Sequence, residues 1–163
     1  MSTAFLIISL IYSAFAFSAS DDASSKPVFQ IQRVYLKEIS IEQPNSPAIF
    51  LKMDSPKLDI KLGTGSDKLN ATTYESTVSV VLIGKIADST AFIVKAKQAG
   101  IFTIENISNS QMDNLLGSEI PNILYPYLRA NVADAIARSG FPPIHIAEID
   151  WHAWAQQHKR PSP

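Results

Sequence analysis

The chain contains no cysteine. That absence excludes disulfide frameworks, thiolate nucleophiles and cysteine-ligated zinc in one step. It fits a reducing compartment without requiring one. A bias toward charge of one sign is lacking as well: 14 lysines and arginines stand against 15 aspartates and glutamates, for a formal net charge of −1. The basic footprint of a nucleic-acid binder is therefore missing. A polybasic membrane anchor is missing too, the nearest thing being the short terminal cluster His158-Lys159-Arg160. Gly63-Thr64-Gly65-Ser66 has no Gly-Lys-Ser/Thr downstream, so it is not a phosphate loop. His145, His152 and His158 form no close pair at helical ligand spacing and have no carboxylate cluster beside them. No metal site, no cofactor and no enzymatic activity are expected, since no catalytic constellation or nucleophile elbow is present. Asn70-Ala71-Thr72 and Asn106-Ile107-Ser108 match the glycosylation sequon, which matters only in a eukaryotic secretory pathway.

The first 20 residues carry no side-chain charge. Ala4 to Phe17 is largely apolar, and Ser18-Ala19-Ser20 supplies the small residues that a signal peptidase accepts. No lysine or arginine precedes the run, and it is short of the ~20 apolar residues of a membrane span. Three readings compete: a secretory signal, a disordered or interfacial tail, or extra residues from a start codon placed upstream. The expected organisation is an apolar extension and polar linker over 1–27, one domain over 28–157, and a tail over 158–163.

Residues 28–42 are rich in β-formers at period two, with apolar residues on both alternating sets. Such a strand is expected to be covered on both sides. Gln43-Pro44-Asn45-Ser46-Pro47 is a break. A short strand is expected over 57–62, a turn at 63–66, and a long hairpin from strands 74–87 and 90–98 around Asp88-Ser89, continuing through 99–104. The second half is helical. A short turn of helix over 111–116 ends at Gly117. A long helix is expected over about 122–138, and Ile120, Leu124, Leu128, Val132 and Ile136 form one i, i+4 row. Pro126 should kink it. Gly140 is placed for a left-handed cap, with Pro142 and Pro143 beyond. Asp150 is a helix N-cap before Trp151 and Trp154. Strands followed by helices predict an α+β domain with a four-stranded antiparallel sheet. Glu38 and Glu42, four apart on a strand, face one side. On pattern alone they read as a solvated face.

Several segments together resemble the SecB protein-export chaperone family. Phe29-Gln30-Ile31-Gln32-Arg33-Val34-Tyr35-Leu36-Lys37 is similar to its opening strand. Glu42-Gln43-Pro44-Asn45-Ser46-Pro47-Ala48-Ile49-Phe50 is similar to the crossover that follows, and Ala99-Gly100-Ile101-Phe102 to its Gly-Ile-Phe segment. Pro121-Asn122-Ile123-Leu124-Tyr125-Pro126-Tyr127 resembles its helix signature, and Ser139-Gly140-Phe141-Pro142-Pro143 its helix-ending turn.

The resemblance covers roughly residues 28–155 of the chain. It implies a sheet with helices packed on one face and a homotetramer built as a dimer of dimers. It also implies a cytoplasmic chaperone that binds unfolded precursor polypeptides and delivers them to SecA without a cofactor. Phe50, Phe102, Tyr125, Tyr127, Trp151 and Trp154 are the client-binding candidates, because aromatic rings offer large contact area at low side-chain entropy cost. The resemblance also turns Glu38 and Glu42 into SecA-docking candidates. It places Lys95 where the family carries a third acidic residue, a departure that weakens the expected SecA contact. Two other readings stay open: a SecB-like chaperone dedicated to a single client such as an antitoxin, and a secreted or periplasmic binding module with a cleaved N-terminus.

Overall fold

The computed structural model describes residues 26–52 and 54–158. The signal-like segment and the last residues of the tail lie outside the described residues. Strands β1 (Val28–Glu42), β2 (Lys57–Lys68), β3 (Thr73–Ile86) and β4 (Ser89–Glu105) form one antiparallel sheet in the order β1-β4-β3-β2. Helices α1 (Asn109–Asn114), α2 (Ile120–Arg138) and α3 (Trp151–Gln157) follow, so the architecture is the expected α+β one. The row Ile120, Leu124, Leu128, Val132 and Ile136 is wholly buried, together with Val78, Val80, Leu82, Phe92, Val94 and Phe102 of the sheet. This layer between α2 and the β3–β4 hairpin is the core.

The hairpin closes at Ala87-Asp88, both with positive φ (45° and 65°), and Ile86 pairs with Ser89. A left-handed pair at the tip matches the twist of the flanking strands. The turn expected at 63–66 is absent: β2 runs straight through it to Lys68. Gly63 and Gly65 lie opposite Ser79 and Thr77, whose hydroxyls stand 3.1 and 3.0 Å from where each glycine Cβ would be. The glycines make room for hydroxyl groups rather than a bend. The chain turns later, where Asn70 Oδ1 accepts from the backbone N–H of Thr72 and Thr73 at 3.0 and 2.9 Å.

Gly117 does not end a helix either. Ser108 and Gln111 form a capping box at the start of α1. The helical path then passes through a π-helical turn, Leu115–Glu119, directly into α2, which begins before the expected position and continues through Pro126. Gly140 adopts φ 92° as the cap reading requires.

Strand β1 corrects a larger expectation. Its register on β4 slips between Ile31 and Arg33 and again between Leu36 and Glu38, so Gln32 and Lys37 are bulged. Each bulge resets the alternation. Phe29, Ile31, Val34, Leu36, Ile39 and Ile41 consequently pair with Ile104, Phe102, Gly100, Gln98, Ala96 and Val94, the helix-facing set of β4. Apolar residues that had seemed split between two faces share one.

Between the two edge strands the chain crosses the hairpin end of the sheet. Asn45 Nδ2 donates to the Thr90 carbonyl at 2.9 Å, and Lys52 Nζ to Ser89 Oγ at 2.8 Å. Gln43 Nε2 donates to the Ser139 carbonyl at 2.7 Å, tying the crossover to the end of α2. A single 3₁₀ turn, Ala48–Leu51, buries Ile49 beneath it.

A Cβ added to Gly84 would come within 2.7 Å of three Phe92 ring carbons. Gly84→Ala is expected to destabilise the fold by about 1–3 kcal/mol through overpacking. Leu124→Ala is expected to cost about 2–5 kcal/mol through the cavity it leaves. Urea unfolding followed by circular dichroism checks both.

Candidate functional site

The helix-facing side is only partly roofed. An α-helix with its side chains is about 10–12 Å across and strands are about 4.8 Å apart, so one helix covers roughly two strands. α2 lies mainly across β4 and β3. On the edge strands Phe29, Ile31, Leu36 and Ile39 of β1, and Leu58 and Ile60 of β2, remain exposed. Leu36, Ile39 and Ile41 line a groove of about 460 Å³ whose other wall is Asn131, Asp134, Ala135 and Arg138 of α2. Beneath it, Asn131 Nδ2 donates to Oε1 of the buried Gln98 at 2.9 Å, so that polar pair is satisfied.

The aromatic candidates do not meet in one groove. Phe102, Tyr125 and Trp151 are core residues, 0, 1 and 3 % exposed. The expectation that these three line an accessible surface is corrected, because α2 and α3 close over them. Phe102 packs against Leu124 and stacks with Phe29 at 5.8 Å. Tyr125 meets Trp151 edge-on at 5.2 Å, and Trp151 meets Trp154 at 5.4 Å. The Tyr125 hydroxyl donates to the Ala147 carbonyl at 2.7 Å. Burial raises its pKa above the ordinary tyrosine value, against the opposing charge of Arg129. Trp154 is half-buried on α3 and stacks on His158 at 4.1 Å.

Phe50 and Tyr127 are accessible, 44 and 52 % exposed, as is Leu51 at 85 %. Phe50 lies on Phe141 with centroids 5.0 Å apart, and Phe141 lies on Phe92 at the same distance. A Cβ at Gly140 would stand 3.3 Å from the Phe50 ring, so the left-handed cap also gives that ring its seat. The crossover thus presents a ring anchored on the core and an apolar neighbour, Leu51, that touches solvent.

Among the described residues the sheet's other face carries no helix. Glu38 and Glu42 pair with Lys97 and Ile93, confirming that they share this face. Both are exposed, and Glu42 Oε1 lies 3.6 Å from Lys95 Nζ. In the middle of the face Tyr35 and Lys37 reach across β4 to Glu75 on β3. The Tyr35 hydroxyl donates to Oε1 and Lys37 Nζ donates to Oε2 at 2.6 Å. Ala99, paired with Tyr35, is small enough to be bridged and is fully buried beneath them. The bonds from Lys37 and then Tyr35 hold the Glu75 carboxyl below its ordinary pKa, and the same bonds raise those of Lys37 and Tyr35. This bridge secures an edge strand to the interior of the sheet.

Among the described residues no group of three or more histidines and carboxylates is placed to hold a metal ion. No described helix is long and apolar enough to cross a membrane.

The sequence profile described as "Preprotein translocase subunit SecB" matches residues 22–161. The chain belongs to the SecB family. It is 54% identical over 136 residues to the Protein-export protein SecB of Janthinobacterium sp. (strain Marseille), covering 83% of each chain. It is 52% identical over 136 residues to the protein of the same name from Burkholderia lata, covering 83% of this chain and 85% of that one. Among solved structures it is similar to a SecB-like chaperone of Mycobacterium tuberculosis in complex with an antitoxin peptide. That likeness has a TM-score of 0.60 at 17% identity, covering 75% of this chain and 88% of the other, and shows a shared fold. The exposed β1 row is the feature that reading the sequence missed. Its signal is the spacing of apolar residues at 29, 31, 34, 36, 39 and 41, alternating steps of two and three, which is a strand bulged every fifth residue.

Glu75 supplies a pH test. Its depressed pKa means that its stabilisation is fully present above the ordinary carboxylate range, about pH 4–5, and is lost as pH falls through the lower folded value. Glu75→Gln is expected to destabilise at neutral pH and to flatten the stability profile below about pH 5. Thermal melts of both proteins from neutral to acid check this; parallel profiles would show that Glu75 is not the titrating group.

Proposed function

We propose that the chain is a non-enzymatic chaperone that binds unfolded precursor proteins, keeps them competent for translocation and delivers them to SecA. The observation that carries this reading is the apolar surface left open on a well-packed domain, with Phe50 and Leu51 exposed beside a fully buried Ile49. High identity to proteins named for protein export supports the export role over service to a single antitoxin client. The family domain is assigned to 28–157, acting in the cytoplasm. Recovery of a chain cleaved near Ala19 outside the cytoplasm would overturn that address.

In this reading Phe50 and Tyr127 are the primary client contacts, with Leu51 and the open side of Trp154 beside them. Phe102, Tyr125 and Trp151 form the rigid floor. Burying about 400 Å² of apolar client surface yields roughly 10 kcal/mol gross. Much of that is spent on ordering the client. Several such sites on one assembly restore affinity through effective concentration. The β1 row and the α2 groove are the surfaces we assign to contact between copies, giving a homotetramer arranged as a dimer of dimers. Glu38 and Glu42 on the uncovered face are the SecA-docking residues.

Two variants separate these roles. Phe50→Ala with Tyr127→Ala is expected to weaken binding of a fluorescently labelled unfolded precursor roughly tenfold. The melting temperature should fall modestly, from loss of the Phe50–Phe141 contact, while the fold is retained by circular dichroism. Glu38→Lys with Glu42→Lys is expected to weaken SecA binding and spare the precursor. Loss of both partners in either variant would show that the two surfaces have been misassigned.

A further inference from the structure

Strand β1 sets two opposite charges side by side on the uncovered face. In an unbroken strand neighbouring residues point to opposite faces. The bulge at Lys37 breaks that rule: Glu38 lies opposite Lys97, and Lys37 reaches over the same face to Glu75. A lysine beside an exposed carboxylate is the natural partner for it. Lys37 is instead held by Glu75 of β3 at 2.6 Å, and the Tyr35 hydroxyl donates to the other oxygen of that carboxylate. The charge of Lys97, opposite Glu38, bears on the Glu75 carboxyl as well. Among the described residues Glu38 takes part in no ion pair, whereas Glu42 lies 3.6 Å from Lys95.

The bulged register is already favoured by Ile39 and Ile41, which it turns to the helix side. Glu75 is a buried carboxylate. An ion pair at such a position is weak evidence of a stabilising role alone, because an apolar pair of similar size often serves as well. We propose that Glu75 is a positioning residue for the docking of a basic segment of a partner protein: by holding Lys37 it keeps that charge off Glu38 and leaves Glu38 as the open carboxylate on the face. The inference rests on the reading of Glu38 as a SecA-docking residue and adds to it a residue two strands away. Lys37 is then part of the device, parked where it does not compete with the incoming basic segment.

Calorimetric titration of purified SecA into the full chain at low salt tests this. Glu75→Gln frees Lys37 beside Glu38 and is expected to weaken binding roughly fivefold, the effect of one added charge at a solvent-exposed site. Adding Lys37→Gln to Glu75→Gln removes the freed charge and is expected to restore binding to within about twofold of the unsubstituted chain. A mere clamp gives the opposite order, since the double variant has no bridge at all. In a Glu38→Gln background, Glu75→Gln is expected to cost less than about twofold, because the carboxylate it protects is gone. Circular dichroism at the titration temperature checks that each variant is folded. Should Glu75→Gln fail to fold, Lys37→Gln alone decides: binding at least as tight as that of the unsubstituted chain is expected, and weaker binding overturns the proposal. A double variant as weak as Glu75→Gln, or Glu75→Gln binding SecA unchanged, overturns it too. Glu38→Gln alone separates the two levels. Its indifference to SecA defeats the docking-face reading itself, whereas a loss there with no effect of Glu75→Gln defeats only this inference.

Discussion

A sheet of four strands is wider than the one helix that covers it, and most of what is distinctive in this molecule follows from that mismatch. α2 spans roughly two strand separations and sits over β3 and β4. The buried row from Ile120 to Ile136 meets the helix-facing side of the hairpin and makes a dense core. The same sheet continues outward into β1 and the first half of β2, whose helix-facing residues include Phe29, Ile31, Leu36, Ile39, Leu58 and Ile60. Among the described residues no helix roofs them as α2 roofs the hairpin.

That surplus is a liability in an isolated domain and a resource in a protein that holds other chains. Several features keep it ordered. Two bulges in β1 turn its apolar residues to one side and disrupt the regular edge. The Tyr35–Glu75–Lys37 bridge fastens that edge strand from the opposite side, across Ala99. The crossover is bonded at both ends, to Ser89, Thr90 and Ser139, so Phe50 and Leu51 are presented on a fixed support rather than on a loose loop. A preorganised apolar contact loses less entropy when a client arrives. The uncovered face is polar and of mixed charge, suited to docking rather than to holding apolar segments.

Much of this was legible in the sequence. The strand-then-helix order, the buried row of α2, the Gly140 cap and the Asp150 cap each follow from short-range rules, and each holds. The misreadings share a cause. Gly63-Thr64-Gly65-Ser66 and Gly117 read as stops in the sequence because glycine usually ends an element. Here the space left by the missing side chain is taken up by hydroxyls from β3, and at Gly117 the chain widens into a π-helical turn. Strand β1 misled because a bulge shifts the alternation without changing composition. For the site, aromatic type identified the right residues to examine but not which were accessible. Tyr125 and Tyr127 are two positions apart on one helix, yet one is core and the other surface. At about 100° per residue the two stand on opposite sides of α2, and Trp151 of α3 packs on the Tyr125 side at 5.2 Å.

The central claim is that apolar surface unroofed by α2 is covered by other chains, first by copies of this one and then by clients. Native mass spectrometry of the protein, alone and with an unfolded precursor, tests it most directly. The account predicts a tetramer that gains the mass of the precursor. A monomer at micromolar concentration that takes up no precursor would contradict it.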